Sequence, residues 1–310
     1  MLVFERCHII RLCKQERSKM QEIFIDSLRD TFKDTLTLVP FLFITYLVME
    51  WLERKTEEQS VSMLSRIGKL GPVAGAGVGI IPQCGFSAAA ASLYSGGVIT
   101  VGTVLAVFLS TSDEMVPIFI SSSVSPAVIG KLLLAKFIIA LVTGLAADLA
   151  VTLVHYTFRT HKHIHDLCEQ DECGCEDEEG GIIHSALVHT VKITVFIFVI
   201  SLVISLVMGF AGKSAIASFL TGIPVLGVFL SGLIGLIPNC AASVIITQLY
   251  LEGLLSAGQL MAGLLVSAGV GILVLLRTNR HLPENLRVIA VLYGSGVAWG
   301  LLIDLLGITF

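Results

Sequence analysis

The sequence Ile-Pro-Gln-Cys-Gly-Phe-Ser at residues 81–87 returns 156 residues later as Ile-Pro-Asn-Cys-Ala-Ala-Ser at residues 237–243. The register continues beyond both phrases without a gap, so that Gly144, for example, recurs as Gly300. Proline removes a backbone donor and clashes with the preceding turn, and the neighbouring glycines lower the cost of unwinding. The two phrases therefore predict a helix that breaks at the same place in two related halves of the chain.

The composition predicts that the chain lies in a lipid bilayer. Hydrophobic residues make up 55% of its 310 residues, charged residues only 14%, and the mean hydropathy is +0.87. About a quarter of the residues of a soluble domain are charged. Apolar runs approach the ~20 residues that cross the hydrocarbon core, with room for roughly eight to ten segments. No Gly-x-x-x-x-Gly-Lys-Ser/Thr or His-Glu-x-x-His motif occurs, so we expect no enzymatic activity, no cofactor and no nucleic-acid partner.

The duplication divides the chain into four parts. Residues 1–19 fit neither half and are interpreted as a mis-called or disordered extension. The first membrane repeat occupies residues 20–156, a loop rich in His, Cys and acidic residues occupies 157–183, and the second repeat occupies 184–310. The predicted fold is an all-α polytopic membrane protein with about five helical segments per repeat.

The relative orientation of the repeats depends on how many times each half crosses the membrane. Four full crossings make the halves parallel. The count becomes odd, and the halves invert, if the proline phrase enters and returns or if the segment after Val98 breaks at residues 110–114. Residues 267–271 occupy the matching place in the second half and allow a matching break. We favour inverted repeats.

Paired interruptions in two apolar halves point to the substrate site of a secondary transporter. Freed backbone groups and nearby side chains replace the hydration shell of a substrate, and the cysteines add soft thiolate ligands. In the alternative interpretation the prolines only kink helices and the small residues only serve packing; recurrence at one register argues against it. The substrate-binding candidates are Pro82, Gln83, Cys84, Ser87, Pro238, Asn239, Cys240 and Ser243.

Four carboxylates are candidates for ion coupling. Asp113 and Glu114 are adjacent within an apolar stretch, where each charge costs ~2.5–3.5 kcal/mol. They are expected to coordinate a cation, with Cys84 and Cys240, or to carry the proton or sodium that drives transport, unless they lie in a wet loop. Asp148 and Asp304 are a matched pair late in the last apolar run of each half. They are interpreted either as helix-end anchors or as a relay.

Other polar residues receive simpler interpretations. Lys136 follows a short basic loop and is expected to extend its ammonium to the membrane interface. His184 and His189 begin the second half and are likewise expected at the interface.

The loop between the halves concentrates metal-ligating side chains. Imidazole, thiolate and carboxylate occur together within ~20 residues, which favours weak, flexible capture of a metal ion. The alternative is a solvated acidic linker, and the spacing matches no closed zinc site. The candidate ligands are His161, His163, His165, Cys168, Cys173 and Cys175.

Basic residues from Arg6 to Lys33 favour a cytoplasmic N-terminus by the positive-inside rule, and no signal peptide is evident. We expect a multi-pass protein of the cell inner membrane, surrounded by lipid, with a homodimer as one option for its assembly.

Three phrases resemble a bacterial family of proposed ten-span heavy-metal exporters: residues 79–94, the Leu-Ile-Pro-Asn-Cys-Ala-Ala-Ser that ends at Ser243, and residues 40–50. Members of that family are described as arsenic-efflux proteins or as manganese transporters. Cys84 and the segment at Ser110 look more distantly like permeases that export trivalent organoarsenicals. The resemblance implies ion-coupled export of a metal or metalloid from the cytoplasm.

The identity of the exported ion stays open at this point. Thiols at Cys84 and Cys240 suit arsenic(III), whereas Asp113, Glu114 and freed carbonyls suit manganese(II). A passive ion channel, or an exporter of a different small anion or organic molecule, are the alternative functions.

Overall fold

The computed structural model describes residues 20–21, 24–40, 42–44, 46–47, 70–112, 115–153, 182–211, 224–279 and 281–310. Every regular element within these ranges is a helix. The predictions for residues 1–19, for Asp113 and Glu114, and for the loop ligands between His161 and Cys175 lie outside the described residues.

The helices of the described residues fall into two sets of six. In the first half, α1 covers the helical residues between 24 and 47, and it is followed by α2 Leu70–Gly79, α3 Gly85–Ser95, α4 Val101–Ser110, α5 Met115–Ser121 and α6 Pro126–Leu153. In the second half, the helices are α7 Ile182–Ala211, α8 Pro224–Gly235, α9 Cys240–Leu251, α10 Ala257–Val266, α11 Gly271–Thr278 and α12 Leu282–Leu305.

The helix bounds recur at the spacing of the sequence phrases. Both α4 and α10 begin and end at positions 156 residues apart, and so do the starts of α5 and α11 and of α6 and α12. The predicted breaks are confirmed: residues 80–84 separate α2 from α3, and residues 236–239 separate α8 from α9. A second break follows Ser110 in the first half and Val266 in the second, also as predicted.

Helices α2 and α4 run in the same direction, because residues further along α2 contact residues further along α4. A Cβ on Gly75 would lie 2.8 Å from the carbonyl oxygen of Thr103, and a Cβ on Gly79 would lie 2.6 Å from that of Val107. The start of α2 is likewise level with the start of α4, since a Cβ on Gly71 would overlap the Thr103 hydroxyl.

Helix α3 must therefore return toward the start of α2. If α3 continued in the direction of α2, its end would lie about 30 Å from Leu70 by the helical rise. Residues 96–102 can bridge at most about 25 Å, and a turn with hydrogen bonds from Gly96 and Gly97 back to α3 shortens that reach further. Hence α2 and α3 form a helical hairpin whose tip holds the proline phrase.

The second half repeats these contacts. The Ser231 hydroxyl in α8 donates to the carbonyl of Gln259 in α10 over 2.6 Å, and a Cβ on Gly235 would overlap the carbonyl oxygen of Gly263. Contacts between α8 and α10 thus advance in parallel, and α8 and α9 form a second hairpin by the same reasoning.

Helices α6 and α12 run back along α4 and α10. Gly102 near the start of α4 lies against Gly144 and Asp148 near the end of α6. A Cβ on Gly144 would lie 2.6 Å from the carbonyl oxygen of Gly102, so only glycine permits this approach. Gly258 and Gly300 make the matching contact in the second half.

Each hairpin packs against a helix of the other half. Helix α3 lies on α11, where a Cβ on Gly271 would come within 2.9 Å of the Ser87 side chain, and α9 lies on α5. Trp299 Nε1 donates to Thr143 Oγ1 over 3.1 Å, a hydrogen bond between residues 156 positions apart. This hydrogen bond ties α6 to α12.

Five helical stretches among the described residues are long and apolar enough to cross a membrane. Their bounds are Val101–Ser121, Pro126–Leu153, Ala186–Val207, Ala257–Thr278 and Leu282–Leu305. The first and fourth are the broken helices α4–α5 and α10–α11, and these two are the most buried. The chain therefore has the architecture of a polytopic membrane protein with discontinuous helices at its centre.

Candidate functional site

A cavity of about 540 Å³ lies where the two hairpin tips meet α1 and α7. Cys84, at the N-terminal end of α3, and Cys240, the first residue of α9, both line it. Cys84 is buried and Cys240 is half-buried, and neither forms a disulfide. The walls are completed by a polar face of α1, by small residues of α7 and by the apolar side chains of Leu38, Ile197, Val244, Ile245 and Val270.

The local chain explains how the second tip is held. Asn239 is extended and caps α9, because its Oδ1 accepts from the amide of Ala241 over 2.9 Å. Its Nδ2 donates to the carbonyl of Ser201 in α7 over 3.4 Å. Asparagine is among the strongest N-caps, so this residue fixes both the start of α9 and its position against α7. The equivalent Gln83 does not cap α3, whose N-terminal end has no side-chain cap.

Part of the predicted set of substrate-binding residues lines the cavity. Cys84, Asn239 and Cys240 line it. Cys240 and Ser243 also line a second, much smaller cavity with residues of the α4–α5 and α10–α11 breaks: Thr111, Ser112, Met115, Leu264, Ser267 and Gly269. Binding roles for these residues stay predictions.

The remaining predicted binding residues line neither of these two cavities. Pro82, Gln83 and Pro238 lie at the hairpin tips, where Pro82 is exposed and the other two are half-buried. Ser87 is fully buried, donates to the carbonyl of Cys84 over 2.8 Å and packs against Gly271. Their placement gives them a part in shaping the tips.

The acidic face of α1 was not predicted from the sequence. Asp26, Asp30 and Asp34 line the cavity together with the hydroxyls of Ser27, Thr31 and Thr35. Their spacing of four residues places the three carboxylates on one helical face. This four-residue period is the signal in the sequence that could have revealed the acidic face.

The prediction for Lys136 was wrong. Its side chain is fully buried, and its ammonium donates to the carbonyl of Thr111 and, over 3.1 Å, to that of Leu264. These carbonyls lie at the C-terminal ends of α4 and α10, where helical carbonyls lose their partners and the dipole favours a cation. One lysine thus links the helix breaks of both halves. Its hydrogen bonds to these two carbonyls keep the ammonium inside the protein and away from the membrane interface.

The sequence did not predict the packing of His189. It is 3% exposed and stacks on Tyr46, with ring centroids 5.3 Å apart. The stacking joins α7 to α1, and an interfacial position for His189 stays a prediction. His184 is exposed.

Asp148 and Asp304 make identical hydrogen bonds. Asp148 accepts from the Thr100 hydroxyl and the Gly102 amide, and Asp304 accepts from the Ser256 hydroxyl and the Gly258 amide, each over 2.8 Å. Each carboxylate therefore holds the N-terminal end of a broken helix against the long helix that follows. Their role in ion coupling stays a prediction.

Within the described ranges, no three His, Cys, Asp or Glu side chains stand close enough together to hold a metal ion. The candidate spans and the broken helices define the class of the chain, which is that of a polytopic membrane protein. A family model described as "Putative, 10TM heavy-metal exporter" matches residues 19–219. The chain belongs to this family, as the sequence resemblance indicated. No curated protein and no solved structure matches the chain.

Proposed function

We propose that the chain is a secondary transporter that exports a metal or metalloid ion across the cell inner membrane through the cavity between its hairpin tips. One observation carries this proposal: Cys84 and Cys240, which come from the same position of the two halves, line a single cavity. A substrate held there contacts both tips at once.

The geometry supports inverted halves. Among the described residues, three candidate spans separate the start of α4 from the second hairpin, namely α4–α5, α6 and α7. If these three are the crossings between the two elements, their odd number starts α10 from the face opposite to the one where α4 starts. Inverted repeats around a site at broken helices are the usual basis of alternating access, in which one pair of elements rocks against the other.

The donor set suits a dehydrated ion. The thiols of Cys84 and Cys240 supply soft ligands, and the neighbouring hydroxyls, amide and backbone groups supply neutral oxygens. Backbone freed from helices at membrane depth is tolerated where it lines a cavity, and the last residue of each break, Cys84 and Asn239, lines this one.

The test is metal resistance in a sensitive bacterial host that lacks its own exporters. We expect the wild-type chain to protect against at least one of manganese, zinc, copper, iron, arsenite and methylated arsenicals. Cys84→Ser and Asn239→Ala should abolish protection, because the first removes a soft ligand and the second removes the cap and the tie to α7. Cys13→Ser, outside both repeats, is the matched control, and membrane expression is measured by immunoblot.

Everted vesicles then test the transport step itself. We expect saturable uptake of the same element that depends on a proton or sodium gradient. Full resistance in both tip variants would show that the tips are not part of the transport path. Uptake without saturation would indicate a channel.

A further inference from the structure

The acidic face of α1 runs from the surface into the cavity. Asp26 and Asp30 are exposed and Asp34 is half-buried, and four residues further along the same face Leu38 is 1% exposed. All four line the cavity. The three carboxylates span about 12 Å along the helix axis by the helical rise, so they accompany the route from the surface toward the cysteines.

The charge along this route is negative. Among the described residues that line the cavity, the charged ones are the three aspartates and Lys33, which leaves a formal charge of −2. A channel with one sign of charge raises the local concentration of counter-ions and speeds their arrival. It repels anions and has no comparable effect on a neutral solute such as arsenous acid.

A second observation deeper in the cavity also points to a ligand. Ser201 is 8% exposed and lines the cavity, and its hydroxyl has no hydrogen-bond partner among the described residues. A buried hydroxyl without a partner is unfavourable by roughly 1–3 kcal/mol. Its neighbour Asn239 already donates to the Ser201 carbonyl, so the hydroxyl itself remains for a bound ion or its water.

We propose that Asp26, Asp30 and Asp34 form a loading site for a hydrated divalent transition-metal cation, which then passes to Ser201, Asn239 and the two cysteines. This inference rests on the proposed function and names its cargo. The order of ligands fits the order of dehydration: carboxylates accept a cation that keeps its water, and hydroxyl, amide and thiol groups replace that water deeper inside.

Binding of Mn²⁺ to the purified full-length protein in lipid nanodiscs tests the loading site directly. The free ion is measured by its electron paramagnetic resonance signal, with Zn²⁺ as a competitor, at low and high ionic strength. The triple variant Asp26→Asn, Asp30→Asn, Asp34→Asn should raise the Kd about tenfold and remove most of its salt dependence. Lys33→Gln should lower the Kd, and Glu252→Gln, an exposed carboxylate that does not line the cavity, should leave it unchanged.

If the triple variant does not elute as a single species, Asp30→Asn alone replaces it with a smaller expected increase in Kd. Wild-type Kd and salt dependence in a folded aspartate variant would overturn the loading site. Binding of arsenite without binding of Mn²⁺ or Zn²⁺ would overturn it too, while leaving export through the cavity intact. Failure of the proposed function looks different: the wild-type protein would bind Mn²⁺ through the aspartates, yet vesicles would show no saturable uptake.

Discussion

The two halves of the molecule share a backbone plan and differ in their charges. Helix bounds, hairpin tips, glycine contacts and aspartate caps recur at a spacing of 156. Lys136 does not recur, because Leu292 stands at its counterpart. Most of the features that both halves keep build the fold, with the cysteine pair as the exception, whereas the charged side chains differ between the halves.

The acidic face of α1 follows the same division. The segment that opens the second half, residues 189–192, aligns with residues 30–33 of the first half at a spacing of 159. This alignment pairs Asp30 with His189. Asp30 is exposed at the cavity, whereas His189 is buried against Tyr46. The proposed loading site is therefore confined to the first half, so a cargo released through the second half meets no equivalent row of carboxylates.

The largest difference between the halves is expected at Lys136. Replacing it in Lys136→Met leaves the carbonyls of Thr111 and Leu264 buried without this donor, which costs roughly 1–3 kcal/mol for each. We expect a lower melting temperature in detergent and loss of vesicle uptake. Leu292→Met, a volume-conserving change at the counterpart, is the matched control. Wild-type melting and uptake in Lys136→Met would show that the lysine does not hold the two breaks together.

An intermediate effect, equal in the two halves, is expected at the glycine contacts. In Gly102→Ala and Gly258→Ala the new methyl group overlaps a backbone carbonyl of the facing long helix, so each variant should lose roughly 1–3 kcal/mol of stability. Gly130→Ala is the control, since nothing lies within 4 Å of its Cβ. Thermal melting of the purified protein measures all three. A large loss in one half only would break the correspondence between the halves.

Much of the backbone plan could be predicted from the sequence. The proline phrases mark the hairpin tips because proline and glycine disrupt a helix wherever it is, and the spacing of 156 marks them twice. Local chemistry and register are enough for such features. They also singled out Cys84 and Cys240, which line the cavity.

The features that could not be predicted from the sequence depend on tertiary contacts. Lys136 looks like an interfacial lysine because its neighbours in sequence are apolar, yet its partners lie 25 and 128 residues away. Ser87 belongs to a break phrase but faces Gly271 of the other half. An acidic helical face is by itself typical of a solvated surface. The row from Asp26 to Asp34 points to a site only once α1 is known to lie beside the hairpin tips.

The smallest effect is expected at the aspartate caps, where the two halves are indistinguishable. Asp148→Ala and Asp304→Ala each remove a cap and should lower stability by about 1 kcal/mol, equally in both halves. Asp148→Asn and Asp304→Asn keep an oxygen for the glycine amide and should melt close to the wild type. If either carboxylate carries the coupling proton, as the relay interpretation requires, its Asn variant will also lose the dependence of uptake on the proton gradient. The same gradient dependence in wild type and both Asn variants would refute coupling and leave the two residues as caps.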